Sequence, residues 1–144
     1  MVFGFVFGVV AVALSIVLTR WQSRRLRPSD PVSLELLLWA VSLVLAALIY
    51  VAFALREGGH GWMSTELVGL AVYSAFAIVG ARGRPRLVAL GWALHAAWDV
   101  VVHADAPEGL VPEWYRWACL VFDVVAAGYL LRLPVRTKGA TENG

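Results

Sequence analysis

The chain has 144 residues, of which 60% are apolar and 15% charged, with a net charge of +2 and a mean hydropathy of +0.74. That balance excludes an ordinary soluble domain and points to one small membrane domain. The basic residues gather at the ends of apolar runs and form no binding stripe, which excludes a nucleic-acid partner, and the single cysteine, Cys119, excludes an internal disulfide or a multi-cysteine metal site.

Five apolar runs approach or meet the roughly 17 to 25 residues that a membrane-crossing helix needs: residues 2–19, 34–55, 62–80, 87–103 and 114–131. The first contains Ala11-Val12-Ala13, which resembles a signal cleavage site. No basic residue precedes it and four arginines follow it (Arg20, Arg24, Arg25 and Arg27), so it reads as an uncleaved span with its N-terminus outside. Its Gly4 and Gly8 form a GxxxG pair, extended by Ala11 and Ser15, suited to close packing within the bundle or to a homo-oligomer. Pro28, Ser29, Asp30 and Pro31 end the next loop, with Asp30 placed to cap the second helix and Pro31 in its first turn. Glu35 reads as a first-turn residue interacting with the helix dipole, a structural role. Gly58, Gly59 and Gly61 break the chain before the third run, Pro85 separates the third from the fourth, and Pro107 and Pro112 bracket the last loop.

Ten of the twelve Lys and Arg residues lie in three clusters: the four arginines after the first run; Arg82, Arg84 and Arg86; and Arg132, Arg136 and Lys138. Short loops rich in Lys and Arg stay on the cytoplasmic side during insertion. The expected fold is therefore an all-α integral membrane bundle of five transmembrane helices in the cell (cytoplasmic) membrane. One domain covers residues 1–136, the N-terminus is outside, the C-terminus is cytoplasmic, and residues 137–144 form a disordered tail. Trp21, Trp62, Trp114, Tyr115 and Trp117 read as interfacial anchors.

The chemistry concentrates in the fourth run. His95, Asp99 and His103 are spaced i, i+4, i+8 and share one helical face with Gly91 and Trp92, while Leu90, Ala93, Ala97 and Val101 occupy the other. The fifth run supplies Asp123, with Arg116 and Cys119 on nearly the same face. His95 and Asp123 both fall about 12 Å from the cytoplasmic boundary on antiparallel neighbours and are expected to meet. Glu66 and Tyr73 of the third run lie on a small-residue face with Gly69, Ala77 and Gly80. The candidate catalytic residues are His95, Asp123 and Asp99. Glu66, Tyr73, Trp92, Arg116 and Cys119 would line an outward-opening pocket between the third, fourth and fifth helices, with His60 placed to fold over its mouth. His95, Asp99 and His103 are the candidate ligands of a divalent metal. The competing reading makes His95 and Asp123 interhelical contacts worth about 0.6 to 2 kcal/mol each, leaves His103, Glu66 and Arg116 solvated near the interface, and makes Cys119 a packing residue.

Intramembrane ionisable groups are usually functional. The leading expectation is an enzyme that acts on a hydrophobic, lipidic molecule by acid–base or metal-assisted chemistry, as isomerases and cyclases of isoprenoid or sterol-like substrates do. The alternatives are a proton- or cation-conducting subunit and a non-catalytic accessory membrane protein. The stretch from Leu90-Gly91-Trp92 through His95, Trp98, Asp99 and His103, followed by Val111-Pro112-Glu113-Trp114-Tyr115, Cys119, Phe122-Asp123 and Tyr129-Leu130, looks like a family of small bacterial integral membrane proteins known as a domain of unknown function. That resemblance implies a compact multi-span bundle and supplies no activity. A looser likeness, of architecture alone, is to the sterol isomerase and sigma-2 receptor group, and it transfers no residue role.

Overall fold

A computed structural model of the protein describes residues 1–27, 29–58 and 61–134. Pro28, Gly59, His60, Arg136, Lys138 and the tail 137–144 lie outside the described residues, together with the expectations placed on them. The fold consists of five helices: α1 (Val2–Leu26), α2 (Pro31–Arg56), α3 (Trp62–Gly80), α4 (Pro85–Val101) and α5 (Glu113–Leu130). One turn of 3-10 helix, His103–Asp105, follows α4, and no strand occurs among the described residues. Each helix packs against the next in the chain and α5 returns to pack against α1, so the five close into a ring, with α2 also touching α4 across its centre.

Among the described residues, four segments are long and apolar enough to cross a membrane: α1, α2, α3, and α4 with its 3-10 extension. The fifth helix carries Glu113, Arg116 and Asp123 within its 18 residues and is not one of the four. Helix α1 is apolar on every side yet buries only a narrow stripe: Gly4, Gly8, Val12, Thr19 and Ser23. Phe3, Val10, Leu14 and Val17 remain exposed, as on a helix meant for an apolar surrounding. The helix runs past the expected boundary at residue 19 to Leu26, where Arg25 stacks over the Trp21 ring at 4.4 Å. The stripe faces α5 of the same chain. A Cβ on Gly4 would strike the Trp114 carbonyl oxygen, and one on Gly8 would come within 3.1 Å of the Ala118 Cα. The close approach weighed above as a contact between copies is thus used inside the chain.

Helix α2 begins as its sequence indicates, with Pro31 in the first turn and the Asp30 carboxylate accepting from the Ser33 N–H at 3.3 Å. Glu35 departs from its expected role. It lies beyond the first turn, is buried, and accepts a hydrogen bond from the Tyr129 hydroxyl near the C-terminal end of α5. The turn into α3 uses Gly61 at φ +81°, and the turn into α4 uses Gly83 at φ +94°, conformations that side chains with a Cβ rarely adopt. Leu90, Ala93, Ala97 and Val101 of α4 are exposed, while Gly91, Trp92, His95 and Asp99 are buried, as the spacing requires. That helix stops at Val101, short of the expected residue 103, and His103 enters the 3-10 turn.

The interior divides in two along the bundle axis. Toward the end where α1, α3 and α5 finish, Trp39, Leu43, Val88, Trp92 and Leu130 form a fully buried apolar core, with the Trp39 ring edge-on to Trp92 and tilted against Phe122 and Tyr129. Apart from Glu35, the buried ionisable groups lie in the other half, under a smaller cluster of Tyr50, Leu110 and Val111.

Candidate functional site

Five ionisable side chains from three helices and the 3-10 turn lie buried together: Glu66 on α3, His95 and Asp99 on α4, His103 in the turn and Asp123 on α5, each no more than 3% exposed. His95 Nδ1 and Asp123 Oδ2 are 2.8 Å apart, a hydrogen bond between two helices. A second pair lies nearer the 3-10 turn, where His103 Nε2 and Glu66 Oε1 are 2.7 Å apart. Asp99 sits between the pairs on one helical face, its Oδ1 3.5 Å from His103 Nδ1. Neither oxygen of Asp99 completes a hydrogen bond, and neither does His103 Nδ1 or the buried Tyr50 hydroxyl.

Glu66 and His103 differ from the competing expectation of solvated interfacial side chains. Both are enclosed, and they hold each other. The reason is the end of α4: once the helix gives way to a tighter turn, His103 folds back under the 104–112 loop and meets the first half of α3. Arg116 stays at the rim. Its guanidinium donates to the Asp99 backbone carbonyl at 3.2 Å, satisfying an acceptor in the last turn of α4 instead of pairing with a carboxylate.

Tyr50 of α2 also belongs to the centre, though nothing in its sequence surroundings marks it for chemistry. Its ring stacks on His103 at 4.8 Å and 6° and meets His95 edge-on at 5.3 Å, so it separates the two imidazoles. It carries no charge and lies near the end of an apolar run, where tyrosine usually reads as an anchor. Its one sequence signal is that it supplies the only phenol in residues 34–55. Trp62 covers the other side of His103 at 5.8 Å. Tyr73 reaches the depth of His95, with ring centroids 4.9 Å apart, and its hydroxyl lies 3.5 Å from the Leu94 carbonyl.

The open space differs from the single outward pocket expected between α3, α4 and α5. One cavity of about 380 Å³ opens at the loop end and is lined by His103, Pro107, Glu108, Glu113 and Arg116 among others. A second, of about 310 Å³, is a crevice between α1 and α2 on the side of the bundle, walled by apolar residues such as Phe7, Leu45 and Ile49. Trp92, Cys119 and Asp123 lie along it, and Asp123 is its one carboxylate. Glu66 and Tyr73 line neither cavity. Among the described residues, the group whose ligand atoms converge is His95, Asp99 and Asp123, all within 4.8 Å of one another. Asp123 thereby takes the place expected for His103, whose imidazole is held by Glu66.

A family model described as a family of unknown function (DUF6010) matches residues 1–135. No curated protein and no solved structure matches the chain.

Proposed function

The chain belongs to the DUF6010 family of unknown function, and from that premise, which supplies no activity, we propose that it is a membrane-embedded enzyme acting on a lipid-soluble substrate. In this reading all five helices cross the cell membrane, with the arginine-rich end cytoplasmic and the N-terminus outside. The observation that carries the reading is the crevice. An apolar opening of about 310 Å³ leads from the side of the bundle to a single carboxylate, Asp123, which is bonded at 2.8 Å to a buried imidazole. Small-molecule sites have this composition, mostly apolar walls with one or two placed polar groups, and this volume is at the low end of their usual range of about 300 to 1,000 Å³. A substrate dissolved in the bilayer would reach Asp123 between α1 and α2 without entering water. The His95–Asp123 pair would supply proton transfer, one member giving a proton to the substrate while the other accepts one, with Trp92 and Cys119 beside the reacting atoms. Asp99, His103 and Glu66 would complete the centre behind the pair.

Conduction of protons or cations is less well supported. Beyond His95 and Asp123 the described interior is mostly Trp39, Leu43, Val88, Trp92 and Leu130, each at most 1% exposed, with the Glu35–Tyr129 pair as a separate buried polar contact nearer the arginine-rich end. The enzyme reading is tested by incubating protein in lipid nanodiscs with a total lipid extract and comparing lipid species by mass spectrometry. The wild type should convert at least one apolar species, and Asp123→Asn should slow that conversion about 100-fold or more, the usual scale for loss of an acid–base group. Identical lipid profiles for wild type, variant and protein-free nanodiscs would sink the reading.

A further inference from the structure

We infer that His95, Asp99 and Asp123 form a binding site for one divalent transition-metal ion of the zinc or iron type. The inference deepens the enzyme reading by naming a cofactor for the same centre. With the ion bound, His95 and Asp123 would act as its ligands in place of exchanging protons themselves, and the ion would supply the acid chemistry. The inference rests on that reading only in placing the centre at the end of a substrate crevice. Three observations carry it. The first is convergence: one nitrogen and two oxygens, from α4 and α5, lie within 4.8 Å of one another. A triangle of that size has its centre about 2.8 Å from each corner, so a shift of about 0.7 Å per side chain brings all three to the roughly 2.1 Å of a bound ligand.

The second is Asp99 itself. Its side chain is 2% exposed, and its ion-pair partner His103 Nδ1 stands off at 3.5 Å, so neither carboxylate oxygen completes a hydrogen bond. Burying a carboxylate held so loosely is costly, and coordination to a cation would satisfy it. The third is composition. With Glu66 held by His103 at 2.7 Å, His95, Asp99 and Asp123 remain as the nitrogen and oxygen donors that suit such an ion. Metal ligands are commonly held from behind by further hydrogen-bonding groups. His103 Nδ1, 3.5 Å from Asp99 and anchored through Nε2 to Glu66, is placed for that task. Three protein ligands leave a coordination position free, as in catalytic zinc sites. Because Asp123 lines the crevice, an ion held by it would lie on the route by which the substrate would arrive.

The test uses the full chain in nanodiscs, stripped with chelator and titrated with zinc ion alone. The wild type should bind one zinc per chain, and Asp99→Asn should weaken binding about 100-fold or more. Glu35→Gln, at the far end of the bundle, should leave the affinity unchanged. Should Asp99→Asn fail to fold, cobalt(II) decides: Asp99→Cys loaded with cobalt should show a thiolate-to-metal absorption band that the wild type lacks. No zinc bound by the wild type, equal affinity in Asp99→Asn, or no such band overturns the metal site. Chelated wild type that still converts lipid would overturn the metal while leaving the enzyme, and zinc bound without any conversion would do the reverse.

Discussion

At the scale of single residues, the strongest local claim concerns a charge that has no water to fall back on. His95 and Asp123 are each about 98% enclosed, so removing either strands the other in an apolar interior. Breaking such a buried pair from one side typically costs about 3 to 5 kcal/mol, while replacing both partners with apolar residues is often close to neutral. In metal-free protein, His95→Ala and Asp123→Ala should each lower the melting temperature by about 6 to 20 °C, at the roughly 2 to 4 °C per kcal/mol of a chain this size. The double replacement by leucine should recover most of that loss. A double-mutant cycle by thermal melting in detergent checks this, and strictly additive losses would refute the coupling. The same scale shows where reading along the chain fails. Glu35 looks like an acid serving its own helix, yet its partner Tyr129 is 94 residues away. Tyr50 carries no charge to draw notice, and its role as the wedge between two imidazoles exists only once α2 is set against α4.

For the helices, small residues decide who neighbours whom. Helix α1 has no charged or large polar group on its buried stripe, so its place in the ring depends on how near its backbone comes to α5 at Gly4 and Gly8. Gly8→Val should push the two helices apart and destabilise the fold by about 1 to 3 kcal/mol, as overpacking generally does. Leu14→Val, on the exposed face, should stay within about 0.5 kcal/mol. Equal stabilities in a detergent unfolding series would show that α1 is not held there. The small-residue stripe was legible in the sequence, but its partner was not, because a GxxxG pair describes a surface and leaves the opposite surface open. The end of α4 gives a similar lesson. The i, i+4, i+8 spacing correctly places His95 and Asp99 on the buried face, and it misses that the helix tightens at residue 103, where His103 pairs with Glu66.

Seen as a whole molecule, the ring places its basic clusters and its ionisable centre at different depths. The arginines of the α3–α4 turn lie at one end, and the loop between α4 and α5, with Glu108, lies at the other. In the proposed orientation the first end is cytoplasmic. With Cys119→Ser as background, Glu108→Cys should react with a membrane-impermeant maleimide in intact cells, and Arg84→Cys only after permeabilisation. The reverse pattern would invert the topology, and labelling of both from outside would rule out a crossing between them.

Hydropathy and charge are properties of short stretches, so the sequence by itself determined the helical class, the positions of the turns, the apolar length of the segments and the separation of the arginine clusters from His95, Asp99 and Asp123. It also placed His95 and Asp123 at one depth, since depth follows from counting residues along each helix. What only the tertiary structure decided was rotation. Which carboxylate faces which imidazole, why Asp99 has no hydrogen bond, and why the crevice opens between α1 and α2 all depend on how each of the five helices is turned about its axis. Those angles depend on contacts between distant residues, such as the closure of α1 onto α5 across more than a hundred positions, which no local pattern encodes.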